Sequence, residues 1–260
     1  MTGIGIIGAG NVGLHLAKTF SCTGKFSVEL FTRNPDRTNG IEDQTTVELC
    51  QEIGAFKADI LFVCVPDHAV LKIINEIPSS KTIIVTGGSI DLEKLNRPLA
   101  GVFYPMQTFS AQVELTYTNY PVFIEGTTTE ITSKLKELAN AIGKTFQRST
   151  YAERVHYHLS AVWVNNFTNH LLYQAKQLTE ANNLNWDLFY PLLEETIAKM
   201  KSLGPYASQT GPAKRNDEET IDRHLGMLSE TQQEIYKILT QSIKDTYNSN
   251  ENGKLQNTPS

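Results

Sequence analysis

Residues 3–13, GIGIIGAGNVG, constrain this chain more than any other stretch. The run IGII at 4–7 is short and β-branched, the mark of a buried strand, and glycines follow it at 8, 10 and 13. Gly8 suits a tight turn, Gly10 a close approach of backbone to a pyrophosphate, and Gly13 the packing of a helix on its strand. Asn11 and Val12 open that helix, whose N-terminal N–H groups and dipole favour phosphate oxygens. Gly8, Gly10, Asn11, Val12 and Gly13 are therefore expected to hold a dinucleotide.

The same alternation continues for about 150 residues. SVELFT (27–32), DILFVCV (59–65), KTIIVTG (81–87), GVFYPM (101–106), PVFIEG (121–126) and KTFQRS (144–149) read as strands. VGLHLAKTFSC, TVELCQEIG, HAVLKIINEI and TEITSKLKELANAIG carry apolar residues at helical spacing between them. Alternation of this kind predicts α/β architecture, a Rossmann-type doubly wound and mostly parallel sheet. From Tyr151 no strand pattern remains, and helices are expected over roughly 152–182, 186–203 and 217–247. The expected organisation is a dinucleotide-binding domain at 1–150, an all-helical C-terminal substrate and dimerisation domain at 151–248, and a disordered polar tail at 249–260.

The end of the second strand selects the cofactor. NAD sites place an acid there for the ribose hydroxyls, about 20 residues beyond the glycines. Here Thr32, Arg33, Asn34 and Arg37 occupy it, and a guanidinium suits a 2′-phosphate, so NADP is expected over NAD. Glu29 lies too early in the strand for the acid's role. Ligands of open α/β sheets bind beyond the carboxyl ends of strands. That rule selects Val65 and Pro66 after the third strand and Thr86 after the fourth for the nicotinamide end. After the fifth, Gln107, Thr108 and Ser110 offer hydrogen-bonding groups to a substrate.

Composition narrows the partners. A formal net charge of −5 without a basic cluster argues against nucleic acid. No apolar run approaches the roughly 18 residues of a membrane span. Cys22, Cys50 and Cys64 lack metal-ligand spacing, so no metal is expected and the thiols read as reduced. With no basic leader ahead of the first strand, a cytoplasmic location is expected.

In HYHLSAVWVNNFTNHLL (156–172), helical spacing puts His158, Val162, Asn165 and Asn169 on one face, with Asn166 and His170 beside it. Polar groups aligned on an apolar helix suggest a cavity or an interface. His158 has the right chemistry for a general acid/base, and Asn166 with Gln107 for orienting an acceptor. Further on, SQTGPAKRNDEETIDRHL (208–225) combines two jobs. Asn216 to Glu219 reads as a capping box with Asn216 as N-cap, and Ile221, Leu225 and Leu228 as the buried stripe behind it. Thr210, Lys214, Arg215 and His224 remain outside that account, and Arg215 suits a substrate carboxylate.

GIIGAGNVG, VPD, YPMQTFS, VNNFTNHL and TGPAKRND…TIDRHL together resemble a bacterial family of two-domain Rossmann proteins catalogued provisionally as NADP oxidoreductases. The resemblance covers nearly the whole chain except the tail. It implies a helical C-terminal domain similar to that of 6-phosphogluconate dehydrogenase, kinship with deazaflavin-dependent NADP reductases and pyrroline-5-carboxylate reductases, and a homodimer joined through the helical domain. In the wider superfamily a Lys or His with an Asn on this helix assists hydride transfer, and His158 with Asn165 or Asn166 is the nearest counterpart. Tyr104 and Asn216 stand where family members more often carry His and Gly. The reading that follows is an NADP-dependent oxidoreductase moving a hydride between nicotinamide and a small carbonyl or imine. His158 and Asn166 would be its catalytic residues, and Gln107, Thr108, Asn165 and Arg215 would bind an anionic substrate. The alternatives are a non-catalytic NADP sensor or dimeric interaction module, and a deazaflavin-dependent NADP reductase.

Overall fold

The structure is a computed structural model that describes residues 1–38, 41, 45–110 and 113–254. It divides into two compact units, Met1–Thr168 and Asn169–Ser260.

In the first unit, eight strands among the described residues form one sheet: β1 (Thr2–Ile7), β2 (Phe26–Phe31), β3 (Val47–Leu49), β4 (Ile60–Val63), β5 (Thr82–Val85), β6 (Ala100–Pro105), β7 (Val122–Gly126) and β8 (Phe146–Arg148). Their order is β3-β2-β1-β4-β5-β6-β7-β8. All neighbours are parallel except β6 and β7, which pair antiparallel with Tyr104 opposite Phe123. The chain turns outward in opposite directions from β1, so the topological switch lies between β1 and β4, with a crevice at their carboxyl ends.

Helices α1 (Asn11–Cys22) and α3 (Thr129–Ala141) cover one face, and α2 (Asp67–Asn75) covers the other. On the first, Leu16, Phe20, Leu135 and Leu138 pack with Ile4, Ile6, Phe62 and Phe103. On the second, Val70, Ile73 and Ile74 meet Leu61, Val63, Ile83 and Val85. Each such side chain contributes about 1.5–3 kcal/mol on burial, which is why the strands in the centre of the sheet are apolar on both sides.

One expected helix is absent. Residues 46–54, TVELCQEIG, form β3 and then a single 3-10 turn at Ile53–Ala55. Val47 is buried beside Val28, Glu48 is exposed and Leu49 half-buried, a strand alternation that three residues are too few to reveal in sequence.

Helix α4 (Tyr151–Ala161) belongs with the sheet, so the division falls at Thr168 rather than 150. The cause is Arg154, which is fully buried. Its guanidinium donates to the carbonyls of Gly88 at 3.2 Å and Ile90 at 2.5 Å and to the Glu125 carboxylate at 2.5 Å. Thr150 and Glu153 form a full capping box at the helix start. After α4 the rod changes pitch, with a π-helical turn over Val162–Phe167.

The second unit contains α5 (Thr168–Ala181, whose first residue closes the other unit), α6 (Tyr190–Leu203), α7 (Glu218–Leu225) and α8 (Glu230–Lys254). The N-cap of α7 is Asp217, whose carboxylate accepts from the Thr220 N–H, and not Asn216. Asn216 has φ +55°, a left-handed conformation that Asn and Gly tolerate best, so it serves as the turn before the cap. The backbone of α8 stays helical to Lys254, six residues into the segment expected to be a disordered tail; the remainder, 255–260, lies outside the described residues. No described helix is long and apolar enough to cross a membrane.

Candidate functional site

The glycine loop meets the demands of a pyrophosphate. Gly8 has φ +111°, and a Cβ there would lie 2.4 Å from the Cys64 carbonyl oxygen. A Cβ on Gly13 would lie 1.9 Å from the Gly8 carbonyl oxygen, so that helix and loop touch backbone to backbone. Gly10, the N-cap of α1, faces open space, with nothing within 4 Å of where its Cβ would be. No side chain caps α1 and no acid occupies its first turn. Its free N–H groups and positive dipole end therefore stand open to an anion. The Asn11 side chain is engaged, donating to the Phe109 carbonyl at 2.8 Å.

Beyond β2, Thr32 and Asn34 fold the chain into a tight turn: the Thr32 hydroxyl accepts from the Asn34 N–H at 3.2 Å, and the Asn34 amide oxygen from the Asp36 N–H. Arg33 and Arg37 are exposed on it, and neither has an ion-pair partner among the described residues. Two unpaired guanidinium groups at this strand end fit a 2′-phosphate. Glu29 is occupied elsewhere, its buried carboxylate accepting the Lys57 and Ala58 N–H groups at 3.2 and 2.8 Å.

Val65 packs on the second core face and Pro66 caps α2. Thr86 shares a hydrogen bond with the Cys64 thiol, which burial pushes up to about 12 against that bond's pull. Such a thiol is inert at neutral pH. The following loop is held from two sides. Asp67, at the start of α2, accepts a hydrogen bond from the Ser89 hydroxyl, and Arg154 holds the carbonyls of Gly88 and Ile90.

Against this loop lies a pair that sequence reasoning only half identified. Tyr104 Oη and His158 Nδ1 share a hydrogen bond at 3.1 Å, with the rings edge to face. Burial holds the Tyr104 phenol above its ordinary value, so it keeps its proton at neutral pH. A Cβ on Gly88 would lie 3.0 Å from Tyr104 Cζ and 3.1 Å from His158 Cβ and Cγ. Only glycine lets the loop press so closely on both.

The remaining candidates scatter. The Gln107 amide closes its own loop, donating to the Tyr117 carbonyl at 3.1 Å and accepting from the Thr108 N–H at 2.9 Å, and Thr108 is exposed beside it. Asn165 and Asn166 are exposed on the π turn, and the 3.6-residue phase that aligned them with His158 does not run through it. In the helical unit, Lys214 donates to the Gln209 carbonyl and lies over the Tyr247 ring, and His224 bonds Tyr236. Arg215 is 65% exposed and 3.7 Å from Asp217.

Comparison with solved structures finds a protein of Bacteroides fragilis provisionally assigned as an NADP oxidoreductase. It is 32% identical over 94% of this chain and 98% of that one, with a TM-score of 0.85. The chain belongs to this two-domain NADP oxidoreductase family. Residues 3–87 match a family described as NADP oxidoreductase, coenzyme F420-dependent, and residues 120–243 match a domain of unknown function. A Thermotoga maritima protein at 17% identity shares the fold, covered over 95% of this chain and 99% of that one with a TM-score of 0.68. So does a reductive aminase of Aspergillus terreus solved with NADPH and ethyl levulinate, at 16% identity, 95% of each chain and a TM-score of 0.68. Comparison with curated proteins found no match. The match at 3–87 spans the glycine loop at 8–13, and the match at 120–243 spans most of the helical unit.

Proposed function

We propose that this chain is a cytoplasmic NADP-dependent oxidoreductase that transfers a hydride between nicotinamide and a small carbonyl or imine, with His158 as general acid/base. The observation that carries the reading is the Tyr104–His158 pair held against Gly88 at the carboxyl edge of β5 and β6. A hydride acceptor needs a proton at its oxygen or nitrogen, and an imidazole placed beside it is a general acid of the kind this chemistry uses. NADP would be held by the glycine loop at the pyrophosphate and by Arg33 and Arg37 at the 2′-phosphate; when bound, it supplies the hydride.

The test is binding followed by turnover. NADPH is expected to bind about 10- to 100-fold more tightly than NADH, the worth of one or two charge-assisted hydrogen bonds. An NADH preference would remove the role given to Arg33 and Arg37. Oxo acids, keto esters, aldehydes and cyclic imines should then be screened by NADPH absorbance, starting from keto esters because the Aspergillus relative was solved with one. His158→Ala should lower turnover of the best substrate about 100-fold; undiminished turnover would sink the reading. NADPH binding without turnover across the panel favours a sensor.

We also infer that the helical unit joins two copies of the chain. Helix α6 has no buried residue, although Leu192 and Ile197 are 61% and 52% exposed on it and Leu188 and Leu203 flank them. A helix apolar around so much of its circumference is stable when covered.

A further inference from the structure

We propose that Tyr104 is a positioning residue for His158: it holds Nδ1 of the imidazole, so that Nε2 is the nitrogen that exchanges a proton with the substrate. This rests on the reading of His158 as the acid/base and adds which atom acts and what orients it.

Both rings of the pair are contacted from several sides. Tyr104 is fixed by its place in β6, by the Phe123 ring 6.2 Å away on β7, and by the edge of the His158 ring. Phe123 in turn packs on Tyr157, the neighbour of His158, with ring centres 4.5 Å apart and planes tilted by 39°. One turn before His158, at the i−4 position on the same helical face, the buried Arg154 locks α4 to the carbonyls of Gly88 and Ile90. Gly88 itself lies against Cβ and Cγ of His158. Backbone, Cβ and one ring nitrogen are thus all placed, and Nε2 is left without a partner among the described residues.

The protonation states then follow. When the ring carries two protons, both nitrogens are donors. Nδ1–H donates to Tyr104 Oη, and Nε2–H is the proton available to an acceptor. As the nicotinamide hydride reaches the carbon of a carbonyl or imine, the C=O or C=N π pair moves onto oxygen or nitrogen and takes the Nε2 proton. The ring is left neutral with its proton on Nδ1, still donated to Tyr104, and solvent restores the proton on Nε2. The ring never turns, because the tyrosine oxygen accepts from Nδ1 before and after the transfer. A histidine side chain in water prefers the opposite tautomer, with the proton on Nε2, and that nitrogen then has no lone pair to act as base in the reverse direction.

Tyr104→Phe removes one hydroxyl and keeps the ring that packs on Phe123, so the fold is expected to survive. With NADP bound and no substrate, ¹⁵N spectra of the His158 ring should shift from the Nδ1–H form toward the Nε2–H form in the variant. In turnover, kcat should fall about 10- to 100-fold with KM unchanged, as expected when an acid is misaligned but binding is intact. Identical ¹⁵N spectra in the two proteins overturn the proposal, whatever the kinetics. So does a kcat preserved in Tyr104→Phe while His158→Ala is impaired. A kcat preserved in both variants overturns the role of His158, and with it that of Tyr104.

Discussion

At Gly13 a Cβ would meet the Gly8 carbonyl oxygen at 1.9 Å, whereas at Gly10 it would meet nothing within 4 Å. The two glycines occur in one motif for different reasons, and substitution separates them. Gly13→Ala must push helix from loop and is expected to cost about 3 kcal/mol or more, lowering Tm by roughly 6–12 °C. Gly10→Ala, at φ −79° and ψ 179°, strains nothing and should melt with wild type. It should nevertheless bind NADPH about tenfold or more weakly, because its methyl occupies the space a pyrophosphate needs. Thermal melts beside a cofactor titration check both; weak binding by Gly13→Ala alone would place the phosphates elsewhere.

At the scale of elements, two long-range polar contacts hold the unit together. Arg154 ties α4 to the loop after β5 and to β7, and its three acceptors lose their partner in Arg154→Ala. The expected cost is about 3–5 kcal/mol, the range for breaking a buried charge pair, read as a lower urea midpoint. His15 ties α1 to the segment before β7: its Nε2 lies 2.8 Å from the Tyr120 hydroxyl, and its ring packs at a tilt against Phe109, with centres 4.5 Å apart. Burial, with a smaller push from Lys144, lowers the His15 value to about 4 from 6.5. Between those two pH values the unfolded chain holds a proton that the folded chain refuses. Stability from this contact is therefore complete above pH 6.5 and declines as pH falls toward 4. Replacing His15 by Gln should flatten that part of a Tm-against-pH curve; an unchanged slope would assign the acid sensitivity to other groups.

For the whole molecule, the exposed apolar residues of α6 predict that the chain, 29.0 kDa alone, scatters light as a particle of twice that mass. Leu192→Glu with Ile197→Glu should shift it to the monomer while leaving the far-ultraviolet circular dichroism intact, since neither side chain is buried in the chain by itself. A double variant that still measures as a dimer would move the interface to another face. Sequence alone determined the features whose causes are local. The glycine loop, the order of most strands and helices, the basic turn after β2 and the helical second half all follow from spacing and residue type. The three-residue β3 was hidden because its evidence is a parallel pairing with β2, not a pattern of its own. The cap of α7 slipped one residue because a left-handed Asn216 and a capping Asp217 are equally good turn formers in a string. His158 was legible as a candidate, but Asn165 and Asn166 were aligned with it by a helical phase that the π turn interrupts. Tertiary structure alone decided the pairing of Tyr104 with His158, 54 residues apart, and the burial of Arg154 against carbonyls 64 and 66 residues away. A buried arginine and a bonded tyrosine have no periodicity of their own. They are defined by what the folded chain brings to them, and only the packing of α4 on the sheet does that.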